Sequence, residues 1–374
     1  MSRSVRQSGL HSWRQGVPSW ERGAAQLLRW AAAQIRVIHC CSPANLGDEL
    51  AALAEAFARG QPRLPRFRYT PAGSADLTER LRRASDELRA LGPVGEIYAA
   101  RAHELALENE LCRTVGTAAF PALARLRYGT RDGFDEQADR LSEQWLAAPR
   151  LHEVAGRTTI SHDEDDPASL VTRLRQEVGR RRLPVRVLPS DRLVALAATG
   201  QGVIYVAVGK RLSHRAVERT VLHEILGHSV PRQRAAGAVL GIFAIGTAHG
   251  SDDQEGRALA LEDAASLLDP SRRIELARRH RAGRLVEQGA DFVTTARELL
   301  DDHGAPLPTA LRIAVRAHRG GGLARELVYL PAYLRIRDAW ERDPTIDTVL
   351  GSGQVSVDAV AALAPWLAAD AALA

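Results

Sequence analysis

The sequence predicts a mostly helical α+β fold, with a small antiparallel-rich sheet beside one helix of unusual composition. Stretches before residue 180 and after residue 250 carry apolar residues at helical spacing. Residues 185–208 instead hold three short β-branched runs separated by turn residues. At 374 residues, the chain is long enough to bury a large core.

The order of these patterns predicts three parts. Residues 1–22 are polar, with Gly, Ser and Pro, and are expected to form a flexible tail. Residues 23–155 are predicted to be a helical N-terminal part. Residues 156–374 are predicted to be a core that combines the sheet with C-terminal helices, and we expect 23–374 to fold as one compact unit.

Helices of the N-terminal part alternate with turn signals. Ser74 is a good N-cap for the helix that follows it. Residues 94–115 are predicted to form a long helix with apolar residues at helical spacing and charged residues between them. On this helix, Glu104, Glu108 and Glu110 are expected to face solvent.

Composition excludes several classes of function. The net charge is +5, with Lys210 the only lysine, and no basic block is interleaved with aromatic residues, so no nucleic-acid partner is expected. No run of roughly 18 apolar residues exists to enter a membrane, and no signal peptide is expected. Three cysteines, two of them adjacent, are not a disulfide framework, and they favour a reducing, cytoplasmic location.

The chemistry of the chain centres on residues 223–228, which read H-E-I-L-G-H in an apolar, helical segment. The two imidazoles of His223 and His228 suit Zn²⁺, and Glu224 can act as general base on a water molecule that the metal activates. The pattern is one residue longer than H-E-x-x-H, so on an ideal helix the two histidines point apart.

Both histidines can reach one metal only if the helix widens into a π-type turn or unwinds before His228. Gly227 is conformationally permissive, and Pro231 disfavours helix at the residue before it. These two residues favour unwinding, and we predict a distorted helix end at residues 225–230.

A mononuclear catalytic zinc needs a third protein ligand beside an open position. The downstream candidates are Glu255, Glu262, Asp263 and His249. We favour Glu255 over Glu262, because Glu255 lies one turn into a predicted helix and Gly256 beside it permits close helix approach. Glu262, two turns further along the same face, would then form a hydrogen bond to a ligand histidine and hold its ring in place.

The sheet that precedes the motif helix suggests a fold by analogy. A small sheet followed directly by a metal-binding helix is the arrangement of zincin-type peptidases, so a zincin-like core is expected. Two alternatives share these features: a zinc aminopeptidase or endopeptidase, and a catalytically silent regulatory or scaffold protein that keeps the fold. The intact Glu224 argues against the silent protein, because a retired site has no chemical need for a base.

Other segments carry a family resemblance over nearly the whole chain. After the histidine motif comes Gln254-Glu255-Gly256-Arg257-Ala258, and the remaining segments are Pro43-Ala44-Asn45, Phe67-Arg68-Tyr69-Thr70-Pro71, Arg127-Tyr128-Gly129, Arg316-Ala317-His318-Arg319-Gly320-Gly321 and Glu326-Leu327-Val328-Tyr329-Leu330. Together they resemble the microtubule-associated tyrosine carboxypeptidase family, whose bacterial members carry a Q-E-G-L-A motif. Arg257 stands where that motif has leucine, so the wall of the site need not be apolar as in relatives.

The resemblance implies a metallopeptidase with one zinc per chain that removes a C-terminal tyrosine or phenylalanine from a peptide or protein. In eukaryotic members the substrate is the C-terminal tyrosine of α-tubulin. Carried over position by position, His223, His228 and Glu255 hold zinc, and Glu224 is general base and acid.

A carboxypeptidase must also stabilise an oxyanion and bind a terminal carboxylate. Tyr329, Arg316 and Arg319 are the candidates for the oxyanion. Either arginine is a candidate for the carboxylate, because a guanidinium binds a carboxylate through two parallel hydrogen bonds.

Overall fold

The computed structural model describes residues 16–129, 133–148, 157–191, 193, 195–200 and 202–373, without side chains after 367. These residues form two compact units, each built from separate stretches of chain. The sheet unit takes its described residues from 1–21, 149–270 and 335–374, and the helical unit from 22–148 and 271–334. Most of the predicted tail, residues 1–15, lies outside the described residues.

The helical unit consists mainly of α-helices, with 3₁₀-helices at Arg319–Gly321 and Arg325–Leu327. The side chains of Ser74 and Asp291 each accept a hydrogen bond from a backbone N–H three residues on, so both cap the helix that follows. The α-helices that lie in this unit, or begin or end there, are Glu21–Gln34, Val37–Cys40, Leu46–Ala58, Ala75–Arg89, Gly92–Thr114, Phe120–Tyr128, Asp135–Ala147, Pro270–Glu287, Phe292–Asp301, Leu307–His318 and Tyr329–Arg342.

Of the acidic side chains expected to face solvent, Glu104 is buried, and Glu108 and Glu110 are half-buried. The side chains of Glu104 and Glu108 are 5% and 12% exposed, and both pair with Arg127, whose side chain is 2% exposed. Arg101 pairs with the same two carboxylates. Helix Gly92–Thr114 is therefore buried on its charged side as well, and the ion pairs compensate for the lost hydration.

The sheet unit contains two small sheets. Its strands in chain order are β1 Thr158–Ile160, β2 Arg186–Ser190, β3 Ala197–Gly200, β4 Val203–Ala207 and β5 Arg211–Ser213. β1 pairs with β5 antiparallel, and the other sheet has the order β2-β4-β3. β3 and β4 form an antiparallel hairpin, and this reversal makes β4 parallel to β2. The predicted mostly helical fold with small sheets is confirmed, but the parallel pair was not expected.

The motif helix packs against the central strand of the larger sheet. Val217, Val221 and Ile225 lie four residues apart and are buried with Ile204 and Val206 of β4. Spacing of four places the first three side chains on one helix face, and spacing of two places the last two on one face of the strand. This core fixes the start of the histidine motif against the sheet.

The remaining helices of the sheet unit follow its first strand. They are the α-helices Leu170–Arg180, His214–Leu222, Val230–Ala236, Ile242–Ile245, Gly250–Ala264, Ile346–Leu350 and Val360–Leu373, the π-helix His223–Ser229 and the 3₁₀-helix Val357–Ala359. Among the described residues, no helix combines the length and the apolar composition that crossing a lipid bilayer requires.

Candidate metal centre

The helix that carries the histidine motif changes geometry at the motif. α-Helix His214–Leu222 passes into π-helix His223–Ser229, here called the wide turn. Val230 then donates its N–H to the carbonyl of Ile225, five residues back. A π-type turn holds about one residue more than an α-helical turn, so histidines five apart lie on the same side.

The chain does not leave the helix after the wide turn, because α-helix Val230–Ala236 follows without a break. The helix therefore widens at the motif and does not unwind. The helix is distorted in this segment, as predicted, but the predicted helix end at residues 225–230 is wrong. Pro231 does not end the helix, because it lies in the first turn of the new α-helical segment, where a missing N–H is tolerated.

His223, His228 and Glu255 come together. One potential ligand atom of each lies within 4.8 Å of the other two. Nε2 of His223 is 3.6 Å from Oε2 of Glu255, and the two imidazole centroids are 5.0 Å apart. Glu255 projects from helix Gly250–Ala264, here called the Glu255 helix. Gly227 permits this approach, because a Cβ atom at Gly227 would lie 2.7 Å from Cβ of Ala258.

Each histidine forms a hydrogen bond through Nδ1 to a residue of the Glu255 helix. Nδ1 of His223 lies 2.7 Å from Oε1 of Glu262, and Nδ1 of His228 lies 2.9 Å from Oε1 of Gln254. A carboxylate only accepts, so Nδ1 of His223 is the donor. The amide nitrogen of Gln254 donates to Gly353, which leaves its oxygen to accept from His228. Both Nε2 atoms are therefore the ones available to a metal.

The donor set fits zinc. Two imidazoles and one carboxylate, with both rings oriented through Nδ1, are a set that a catalytic zinc uses while keeping one position open. Burial alone would lower the pKa of His223, but hydrogen bonds to Glu255 and Glu262 raise it to about 10. The surroundings of His223 thus favour a positive charge, and metal binding would have to displace a proton from the ring.

Glu224, the residue after His223, forms a hydrogen bond to the sheet. Its residue is 6% exposed, and Oε2 accepts a 2.6 Å hydrogen bond from the hydroxyl of Thr199 on β3. Its backbone carbonyl accepts a second hydrogen bond, 2.8 Å long, from the hydroxyl of Ser229. The side chain is thus fixed at the start of the wide turn with its carboxylate hydrogen-bonded.

The model of the microtubule-associated tyrosine carboxypeptidase family matches residues 54–373. The chain belongs to this family. Among curated proteins, none matches the chain significantly. The matched residues include the whole candidate metal centre and most of the helical unit, so the predicted family is confirmed.

The other family segments lie in the helical unit, where several of them contact one another. The side chain of Asn45 donates to the carbonyl of Arg66 and accepts from the N–H of Arg68. Gly320 donates its N–H to the hydroxyl of Tyr69 at 2.9 Å. Gly320 has a φ of +72°, and a Cβ atom there would lie 2.5 Å from the ring of Phe120. These segments therefore fix the backbone of the glycine-rich turn.

Of the predicted residues, Arg316, Arg319 and Tyr329 also belong to the helical unit, around a fully buried Glu326. Arg316 donates to Oε1 of Glu326 at 3.0 Å, and Arg279 donates to Oε2 while its guanidinium lies 4.1 Å from the centre of the Tyr329 ring. Arg319 is 9% exposed, and its side chain makes no hydrogen bond or ion pair to a described residue. Burial, with Arg316 nearby, lowers the pKa of Arg319 to about 10.

Sequence reasoning missed Thr199 and Gln254. Gln254 immediately precedes Glu255 in the family motif, and this position was a usable signal that its side chain lies near the ligands. Thr199 carried no signal, because it lies in a short strand 25 residues before Glu224 and meets it only through the packing of the sheet.

Proposed function

We propose that the chain is a zinc metallopeptidase with a zincin-like core, and that it acts as a carboxypeptidase on a C-terminal tyrosine or phenylalanine of a peptide or protein. Family membership supports the activity. The observation that carries the metal is the approach of His223, His228 and Glu255, with ligand atoms within 4.8 Å. The sheet beside the motif helix supports the zincin-like core.

His223, His228 and Glu255 would hold one zinc ion. Bound there, zinc would supply a Lewis acid that polarises the scissile carbonyl and makes water acidic enough to react near neutral pH. Glu262 and Gln254 would keep the two rings in the tautomer that presents Nε2.

Glu224 is the proposed general base and acid. It is adjacent to His223, and its carboxylate is buried and fixed by Thr199. It would take a proton from the attacking water and pass it to the leaving amine, which requires a carboxylate held in one orientation. The intact hydrogen bond from Thr199 supports this role rather than a silent scaffold.

Arg316, Arg319 and Tyr329 remain the proposed residues for the substrate carboxylate and the oxyanion. Among them, Arg319 is the best candidate for the carboxylate, because its guanidinium has no partner among the described side chains, whereas Arg316 donates to Glu326. Tyr329 is buried beside Arg279, so its proposed oxyanion role requires its hydroxyl to be accessible to substrate.

The location is proposed to be cytoplasmic. Cys40, Cys41 and Cys112 are all unpaired and buried. Unpaired, buried cysteines fit a reducing compartment.

The test begins with the metal content of wild type beside His223→Ala and Glu255→Ala, with His214→Ala as a control at an exposed histidine. We expect about one zinc per chain in wild type and in the control, and none in the two ligand variants. Peptides ending in free tyrosine or phenylalanine are then compared with the same peptides ending in an amide.

Cleavage of only the free-acid peptides supports a carboxypeptidase. Cleavage of both forms would replace it by an endopeptidase or aminopeptidase. If wild type holds no zinc even after zinc is supplied, the metallopeptidase proposal fails and the scaffold alternative is favoured. Glu224→Gln separates chemistry from binding, because it should keep zinc and lose turnover.

A further inference from the structure

We propose that Arg257, oriented by Asp347, is a positioning residue that holds the wide turn and thereby the two histidines of the metal centre. The metal part of this inference rests on the proposed function, whereas the contact between Arg257 and the wide turn does not. Arg257 stands where the Q-E-G-L-A motif of the family has leucine.

The wide turn leaves the carbonyl of Leu226 without a helical donor. In an α-helix the donor would be Val230, but Val230 donates to Ile225 instead. In a π-helix the donor would be Pro231, which has no N–H. A carbonyl without a donor inside a protein is costly, so some other group must satisfy it.

Arg257 supplies the missing donor. Its Nη1 lies 2.9 Å from the carbonyl oxygen of Leu226. The other side of the same guanidinium pairs with Asp347, Nε to Oδ1 at 2.7 Å and Nη2 to Oδ2 at 2.9 Å. The Arg257 side chain is 8% exposed. A two-point pair with a carboxylate fixes the plane of a guanidinium, so Nη1 is aimed at the wide turn.

The position of Arg257 makes this contact relevant to the metal. It lies two residues after Glu255 on the same helix, and Leu226 lies between the two histidines. The hydrogen bond therefore ties the helix of the third ligand to the turn of the first two. Gly227 packs against Ala258 beside it, which sets how closely the two segments approach. A leucine side chain at position 257 has no donor and could not form this hydrogen bond.

The experiment compares wild type with Arg257→Leu, Arg257→Lys and Asp347→Asn. Arg173→Leu is the matched control, because Arg173 also forms a two-point pair with a carboxylate, Glu218, but its side chain makes no hydrogen bond to a described residue of the wide turn. Hydrogen exchange is measured in metal-free protein for peptides covering residues 222–234. Zinc affinity is measured by competition with a chromophoric chelator.

We expect exchange in this segment to be on the order of tenfold faster in Arg257→Leu and unchanged in Arg173→Leu. We expect zinc affinity to fall about 10- to 100-fold in Arg257→Leu, as for other residues that orient ligands. Arg257→Lys should show smaller changes in exchange and in zinc affinity than Arg257→Leu, because lysine restores one donor but not the two-point pair with Asp347. Asp347→Asn should weaken zinc less, because one acceptor oxygen remains.

Equal exchange and equal zinc affinity in Arg257→Leu and Arg173→Leu would overturn the proposal. Faster exchange with unchanged zinc affinity would also overturn it, since the turn would then be held without positioning the histidines. If wild type takes up no zinc, the proposed function fails, and the exchange of the metal-free protein still decides whether Arg257 holds the turn. If Arg257→Leu does not fold, judged by circular dichroism, Asp347→Asn provides the same comparison.

Discussion

The hydroxyl of Thr199 lies 2.6 Å from Oε2 of Glu224, so a side chain of the sheet donates to the carboxylate beside the first histidine. Thr199 is on β3, which has a strand neighbour on one side only within its sheet. In the part of the chain that the structure describes, no other side chain donates to this carboxylate. The edge of the sheet therefore sets the orientation of the proposed base.

Replacing Thr199 by valine should lower kcat about 10- to 100-fold and leave zinc content unchanged, because a hydrogen bond to a charged group is lost. Valine has nearly the shape of threonine without its donor. Thr199→Ser keeps the hydroxyl and should retain most of the activity. The measurement is steady-state kinetics on a peptide ending in free tyrosine. Equal rates for the valine and serine variants would show that this hydrogen bond does not serve the reaction.

Glu262→Ala should weaken zinc binding about 10- to 100-fold, because Nδ1 of His223 loses its acceptor. Glu262→Gln should be intermediate, since an amide oxygen still accepts from the ring. Gln254→Ala should act in the same way through His228. Affinity is measured by chelator competition, with Asp263→Asn as the neighbouring control. A loss as large in the control would point to general damage to the helix.

Gly320→Ala should destabilise the protein by about 2–4 kcal/mol, since a positive φ costs about 1 kcal/mol and overpacking against a ring adds 1–3. Gly289→Ala is the matched control. Its φ is +88°, similar to the +72° of Gly320, but no atom lies within 4 Å of its added Cβ. Gly289→Ala should therefore cost only about 1 kcal/mol. Urea unfolding measures both, and equal losses would mean that the Phe120 contact relaxes freely.

His318 should make stability depend on pH. Burial lowers its pKa to about 4, and Nε2 lies 2.8 Å from the hydroxyl of Thr295. The unfolded chain takes up this proton near pH 6.5, so the contribution of His318 is full above about 6.5 and is lost as pH falls toward 4.

His318→Gln provides the comparison, because glutamine is neutral at every pH and can still hydrogen-bond to Thr295. The difference in unfolding free energy between wild type and this variant is measured at about pH 7.5 and about pH 4.5. We expect wild type to lose stability relative to the variant at the lower pH. A difference that does not change with pH would mean that His318 is protonated equally in both states.

The three proposed metal ligands could be chosen from the sequence because zinc restricts both residue type and spacing. Two histidines beside a glutamate, followed by a second acidic helix, leave few alternatives. The structure brings His223, His228 and Glu255 within 4.8 Å of one another. The mostly helical class was equally accessible, because apolar spacing reports it directly.

The choice between widening and unwinding could not be made from the motif. Gly227 and Pro231 favoured unwinding, yet both fit the widened helix, because Pro231 lies in the first turn of the α-helical segment that follows. What satisfies the carbonyl that the wider helix exposes is Arg257, held by Asp347 some 90 residues later in the chain. Neither Arg257 nor Asp347 belongs to the histidine motif, so the motif alone could not show this contact. Glu104 illustrates the same limit, because a charged helix position looks identical whether water or Arg127 surrounds it.

The wide turn also has a consequence for how the chain could change by insertion or deletion. One extra residue in an α-helix rotates everything after it by about 100°. Here seven residues absorb that rotation, so Val217 and Val221 before the turn and Ala235 after it all keep buried positions. The longer histidine pattern thus differs from H-E-x-x-H by one residue, which the wide turn accommodates locally.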